Sequence, residues 1–233
     1  MDVLLDGLGE AVRLLVTGDA DTWAITALTL RVSLTATALA LLVGLPIGVT
    51  VALGRFPGRR VLLAGANTGM GLPPVVVGLF VTVLLWRSGP LGGLGLLYTP
   101  TAMVVAQAGI ATPVVVALVA VAVQQVDPDF RVQMLGLGAS RPQALLALLS
   151  EARLPLLAAT MAAFGAVVSE VGAALMVGGN LAGETRVLTT AAVLATSRGQ
   201  FALAIAFGLI LLAIAFVVNL VLTLVQQRRA RTR

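Results

Sequence analysis

The sequence predicts an all-α, polytopic membrane protein with about five transmembrane helices, and three observations lead there. Of 233 residues, 59% are hydrophobic and 11% are charged; soluble domains carry roughly 45–50% apolar residues, glycine included, and about 25% charged ones. The charges are clustered, leaving uncharged runs at Val32–Gly54, Val61–Trp86, Ser88–Val126 and Gly199–Gln227, of 23, 26, 39 and 29 residues. A hydrocarbon core of about 30 Å takes roughly 20 helical residues at 1.5 Å each. Backbone polar groups facing lipid must pair within their own segment, so the spans are helices.

The chain opens on residues 1–21, which carry Asp2, Asp6, Glu10, Asp19 and Asp21 and no basic start. That pattern is not a secretory leader. Leu4, Leu5, Leu8, Ala11, Val12, Leu15 and Val16 recur at helical spacing, which predicts a short helix lying in the membrane interface. The first span follows near residues 26–53, with Pro46 and a Gly44/Gly48 pair of the kind that lets helix backbones approach closely. A second, near 66–86, contains Pro73-Pro74. Pro74 pushes Pro73 out of the helical region and neither donates a backbone bond, so a break is expected there, with helix resuming at Val75. The 39-residue run holds the glycine cluster of residues 89–95 and Pro100, so only residues 101–123 cross as the third span. The fourth, near 155–177, runs past a single Glu170, and the fifth lies near 202–226.

Arginine placement orients the chain, because short arginine-rich loops stay cytoplasmic. With five spans, Arg55, Arg59, Arg60, Arg131, Arg141, Arg153, Arg228, Arg229, Arg231 and Arg233 share one side; the other holds Arg13, Arg87, Arg186 and Arg198. The N-terminus is therefore expected outside and the C-terminus in the cytoplasm of a multi-pass cell-membrane protein. The net charge is +5, yet no basic stripe interleaves with aromatics. The arginines read as topology determinants and lipid-headgroup partners, with no nucleic acid involved. Arg31, Trp23 and Trp86 sit near span ends as interfacial anchors.

Composition also limits the chemistry. There is no Cys, no His and no Lys, which excludes disulfides, thiolate metal sites, histidine bases and a P-loop lysine. An intramembrane enzyme has little left to work with. A chain that moves solute uphill must take energy from another subunit, or from protons carried by Glu170 as in a secondary transporter. Such transporters usually show internal repeats, and no convincing repeat is visible.

The inside segment, residues 124–153, is long and structured. A short helix is expected over Asp129–Leu137, then a turn at Gly138-Ala139-Ser140 with Ser140 as N-cap, then a second helix opened by Arg141-Pro142. Leu145, Leu146, Leu148 and Leu149 are expected to form one apolar face. An apolar knob in water needs a partner surface.

Leu137-Gly138-Ala139-Ser140 resembles the central part of the cytoplasmic signature of the membrane subunit of binding-protein-dependent ABC importers. Val132-Gln133-Met134 stands where that family has Glu-Ala-Ala, and Leu154-Pro155 lies a few residues late. Beyond that segment, Met70–Leu79, Arg87–Gly92, Thr99–Met103, Ser169–Ala173, Met176–Asn180, Thr185–Ala191 and Thr196–Gly199 resemble tungstate-type permeases. Molybdate permeases share much of the pattern. The resemblance implies a type I importer (MetI-like) fold as a single domain over residues 1–233. It also implies a dimer of this chain, two separate ATPase subunits holding ATP and Mg, and an extracytoplasmic oxyanion-binding protein, with no cofactor in this chain. It assigns Leu137, Gly138, Ala139, Ser140 and Arg141 to ATPase coupling.

For the translocation path the candidates are Pro73, Pro74, Glu170, Asn180, Thr189 and Thr190, and the stretch from Gly71 to Gly78 is expected, with Glu170, to lie near the gate. Glu170 is the only acid well inside a span. It would repel a dianion, so it reads as a gate or helix-pairing group, or as a carboxylate satisfied by a Ser, a backbone amide or Arg31. The outside segment 178–200 contains Asn180, Thr185, Arg186, Thr189 and Thr190, donors that suit a tetrahedral dianion, on a loop that could equally dock the binding protein. Val187–Ala195 is too short to cross and is expected to form a re-entrant or interfacial helix.

Overall fold

The computed structural model describes residues 2–230. Arg231 and Arg233 of the basic tail, and the side chains of Arg228 and Arg229, lie outside the described residues. Among the described residues the fold is eleven α-helices and one 3-10 turn, with no strand: α1 (Asp2–Val16), α2 (Ala20–Leu53), α3 (Arg59–Met70), α4 (Pro74–Leu85), α5 (Pro100–Gln124), α6 (Pro128–Gly136), α7 (Arg141–Glu151), α8 (Arg153–Val168), α9 (Gly172–Gly178), α10 (Leu188–Ser197) and α11 (Phe201–Ala230). Among the described residues three helices, α2, α5 and α11, are long and apolar enough to cross a membrane; the number rises to five only if the bent pairs α3–α4 and α7–α8 each count as one span, and the second of these begins at Arg141, not at the expected 155.

The core is the seam between α2 and α5. Gly44 lies against Val115 and Gly48 against Val119, so the two helices run parallel in constant register. A Cβ on Gly48 would come within 2.8 Å of the Val119 side chain and 2.9 Å of the Val116 carbonyl oxygen. Small residues therefore set the interaxial distance, as expected where lipid supplies no hydrophobic drive. Ala36, Ala40, Ala108 and Ala111 continue the seam, and Ala159, Ala163 and Val167 of α8 close over it. Threonine hydroxyls along these helices donate back to the carbonyl four residues earlier, Thr37 to Ser33 and Thr112 to Ala108, each at 2.7 Å, which satisfies them without water. Gly65 and Gly69 have the same four-residue spacing, but only one of them is used: Gly69 packs on Pro113, whereas Gly65 faces open space.

The second expected span is two helices. α3 begins at Arg59, earlier than the expected 66, and meets α4 at an angle of 104° across Gly71-Leu72-Pro73. Arg59 explains the early start. Its Nε donates to the Val51 carbonyl at 2.6 Å and its Nη2 to Ala52 at 3.4 Å, placing a cation on the C-terminus of α2, where the helix dipole favours one. Helix resumes at Pro74 rather than at Val75, since the first helical position needs no donor.

The fourth span is also interrupted. α8 ends at Val168 and α9 starts at Gly172, so the run expected over 155–177 is not one helix. The interruption falls on Ser169-Glu170-Val171, where side chains take over the bonds that a continuous helix would make. α7 and α8 meet at 68°.

The expected apolar face of α7 needs correction. Leu148 is buried, and Leu145 and Leu149 pack on the same core, but Leu146 is 66% exposed on the other side. Four consecutive helical positions spread over more than a single face.

Helix α1 is an ordered amphipathic helix whose Ala11 and Leu14 pack with Phe207 and Ile210 of α11, and Gly7 sits against Ile205. Its Leu4, Leu5, Leu8 and Val12 remain exposed. Asp19 caps α2: the Thr22 hydroxyl and amide donate to its carboxylate at 2.6 and 2.8 Å. Those bonds hold its pKa below the ordinary carboxylate value, so the cap persists at neutral pH and weakens only as the pH falls through that lowered value.

Candidate functional site

The two helix breaks meet. A Cβ on Gly172, at the start of α9, would come within 2.6 Å of Val75 at the start of α4; one on Gly78 would lie 2.7 Å from the Ala173 Cα. Pro74 and Gly172 thus open two short helices that pack backbone to backbone. Pro73 is exposed and Pro74 half-buried.

Glu170 is 7% exposed, and its Oε1 accepts from the Ala173 amide at 2.8 Å. The carboxylate therefore caps α9, where an anion is favoured and a backbone donor would otherwise be unpaired. Its backbone carbonyl accepts from the Thr189 hydroxyl at 2.9 Å, which ties α10 to the break. Arg31 does not serve it; it lines a separate cavity of about 400 Å³ with Asp21, Glu184 and Arg186.

A cap needs an acceptor and not a charge, which makes a prediction. Glu170→Gln keeps an oxygen for the Ala173 amide and is expected to retain uptake within about twofold, whereas Glu170→Ala loses about 1 kcal/mol of stability and more of the uptake. Thermal unfolding in detergent and uptake into vesicles check this. Equal loss in both variants would instead require the charge.

The outer donors are committed to building their own loop. Thr185 and Thr190 are fully buried and Thr189 is 6% exposed. The Thr185 hydroxyl donates to the Gly178 carbonyl and accepts from the Leu181 amide at 3.0 Å. The Thr190 hydroxyl accepts from the Val187 amide at 3.1 Å and donates to its carbonyl at 3.0 Å. Asn180, at φ 53, accepts from Arg186 Nε at 3.2 Å and donates to the Thr190 carbonyl at 3.4 Å. Thr29 of α2 accepts from the Leu188 amide at 2.9 Å. This corrects the expectation of free hydroxyls facing an anion: they fold inward and hold α10 against α2 and the α8–α9 break. Among the described residues no group of three or more acidic side chains could hold a metal ion.

At the far end lies the elbow. Leu137, Gly138 and Ser140 are exposed, with Leu137 at 80%. Gly138 has φ 88. Its amide donates to the Leu135 carbonyl and the Ala139 amide to the Met134 carbonyl, both at 3.0 Å, the two bonds of a Schellman motif closing α6. Ser140 is the N-cap of α7, and its amide donates to Gln143 Oε1 at 2.8 Å. Arg141 opens α7.

Gly78, the end of the stretch expected near the gate, carries the α4–α9 contact together with Gly172. Sequence reasoning passed over two residues that matter here. No spacing rule marks Gly172, because its partner is on another helix. Gln107 is 3% exposed within α5 and its Oε1 has no partner among the described residues; a lone polar residue in an apolar run was the available signal.

The family described as "Binding-protein-dependent transport system inner membrane component" matches residues 44–231. The chain belongs to this family. This inner membrane component is 37% identical to the tungstate uptake system permease protein TupB of Peptoclostridium acidaminophilum, over 97% of this chain and 100% of that one. A probable anion ABC transporter permease protein of Haloferax volcanii is 43% identical over 84% of this chain and 86% of that one. The molybdenum transport system permease protein ModB of Escherichia coli K12 is 31% identical over 72% of this chain and 77% of that one. Among solved structures, a chain of the MetNI methionine ABC transporter in an inward-facing conformation superposes with a TM-score of 0.66 at 20% identity, covering 88% of this chain and 92% of that one. The inner membrane component therefore has the fold of an ABC importer permease.

Proposed function

We propose that this inner membrane component is the permease of a tungstate importer. It works as a dimer over two ATPase subunits that hold ATP and Mg, and it receives tungstate from an extracytoplasmic binding protein. The observation that carries the substrate is the full-length match to a tungstate uptake permease; the shorter match to ModB supports molybdate as the second reading. In this reading the N-terminus lies outside, residues 1–21 rest in the interface, 178–200 face the binding protein and 124–153 face the ATPase. The exposed Leu137 and Leu146 support the last assignment, since apolar side chains projecting from an elbow beyond the spans want a covering surface.

Proteoliposomes containing the permease, its ATPase and its binding protein test this. Tungstate uptake is expected to require ATP and both partners, and molybdate is expected to compete only in excess. Uptake by the permease alone, driven by a proton gradient, would overturn the reading in favour of a secondary transporter. Equal use of both oxyanions would overturn tungstate selectivity.

A further inference from the structure

At the elbow end, the α2–α3 turn, the end of α5 and the start of α6 surround an open cavity of about 930 Å³. Arg55, Arg59, Arg60 and Arg131 line it, with Asp127 as the acidic residue among the described lining. Arg59 is occupied by the α2 carbonyls, and the Asp127 carboxylate accepts from the Asp129 amide at 2.8 Å. The side chains of Arg55, Arg60 and Arg131 make no hydrogen bond or ion pair with the described residues. Three arginines with unpartnered side chains thus line one volume that holds a single, already engaged carboxylate. An anion with several acceptor oxygens could accept from more than one of them.

Two further features define the anion. The cavity has an apolar side, formed by Leu53, Phe56, Val126 and Val132. It also lies where the spans stop: α2 ends at Leu53 and α5 at Gln124, so the cavity sits at the level where hydrocarbon gives way to water. A soluble oxyanion would leave the apolar side wetted. An amphiphile uses both surfaces. We infer that this cavity binds the headgroup of an anionic phospholipid, its phosphate among Arg55, Arg60 and Arg131 and its glycerol and upper acyl carbons against the apolar side.

The test uses the permease purified with its ATPase after equilibration in mixed micelles of equimolar phosphatidylglycerol and phosphatidylcholine, with retained lipid measured by native mass spectrometry. Phosphatidylglycerol is expected to be enriched at least about tenfold, since each arginine near a membrane surface contributes about a fivefold preference. The Arg55→Gln, Arg60→Gln, Arg131→Gln triple variant is expected to bind the two lipids equally. Arg87→Gln, at the opposite end, should keep the enrichment. Equal retention of both lipids by the unmodified protein overturns the inference. If the triple variant does not fold, Arg131→Gln alone, with an expected loss of about fivefold, replaces it. Displacement of the lipid by millimolar inorganic phosphate or tungstate would assign the cavity to a soluble oxyanion and overturn the lipid source. Because transport is not the readout, failure here is separable from failure of the tungstate assignment.

Discussion

Replacing Gly138 by Asp is expected to lower ATP-driven uptake below about a tenth while the chain still folds and inserts. The position combines a backbone requirement with an exposed location. At φ 88 an ordinary side chain costs about 1–2 kcal/mol, and Asn and Asp tolerate this region better than most. A Cβ here meets nothing within 4 Å, so no internal clash adds to that cost. Asp therefore acts mainly by placing a charge beside Leu137 on a surface read as the ATPase contact, where an unpaired buried charge costs about 2–5 kcal/mol. A series separates the two effects. Gly138→Asn keeps the turn without the charge and should retain uptake within about twofold; Gly138→Ala strains the turn and should fall in between. Uptake into vesicles with the ATPase present measures it. Normal rates for Asp would remove the elbow from the coupling path, and equal loss in Asn and Asp would place the requirement on the shape of the turn.

A single methyl group on Gly78 should produce the second large effect. The new carbon would lie 2.7 Å from the Ala173 Cα, a backbone atom that cannot swing aside as a long side chain can. α4 and α9 must then separate, at a cost of about 1–3 kcal/mol, and the meeting of the two helix breaks is disturbed. Gly78→Ala is expected to unfold several degrees lower and to lose most of its uptake. Gly65→Ala is the matched control, because its Cβ enters open space and gains about 1 kcal/mol in helix propensity. Thermal unfolding of both variants in the same detergent gives shifts of opposite sign. An unchanged transition in Gly78→Ala would show that α4 and α9 are not in firm contact.

The difference between those glycines shows what the sequence could and could not disclose. The first, third and fifth spans, the Pro73-Pro74 break, the elbow turn and the Gly44/Gly48 seam were legible, because each depends on local geometry or on the cost of polar groups in lipid. The interruption at Ser169–Val171 was not. Nothing in the expected span of residues 155–177 marks a break at this point apart from one carboxylate, and the bonds that replace the helical ones involve Ala173 and Thr189, whose partnership needs the folded chain. The outer threonines misled for a related reason. A hydroxyl is equally ready to bind an anion or a carbonyl, and only packing decides; here Thr185 and Thr190 point inward. Arg59 marked a connection between spans by charge but concealed a helix start, since arginine counts carry no information on which carbonyls the guanidinium will reach.

The gap between α8 and α9 has a mechanical consequence. An unbroken helix passes torque along its axis through its ladder of hydrogen bonds, whereas between α8 and α9 that ladder is interrupted at Ser169–Val171, and the Glu170 carboxylate and the Thr189 hydroxyl bridge the gap. A twist applied to α8 would therefore reach α9 only through those side-chain bonds, and α4 only through the contacts of Gly172 and Gly78.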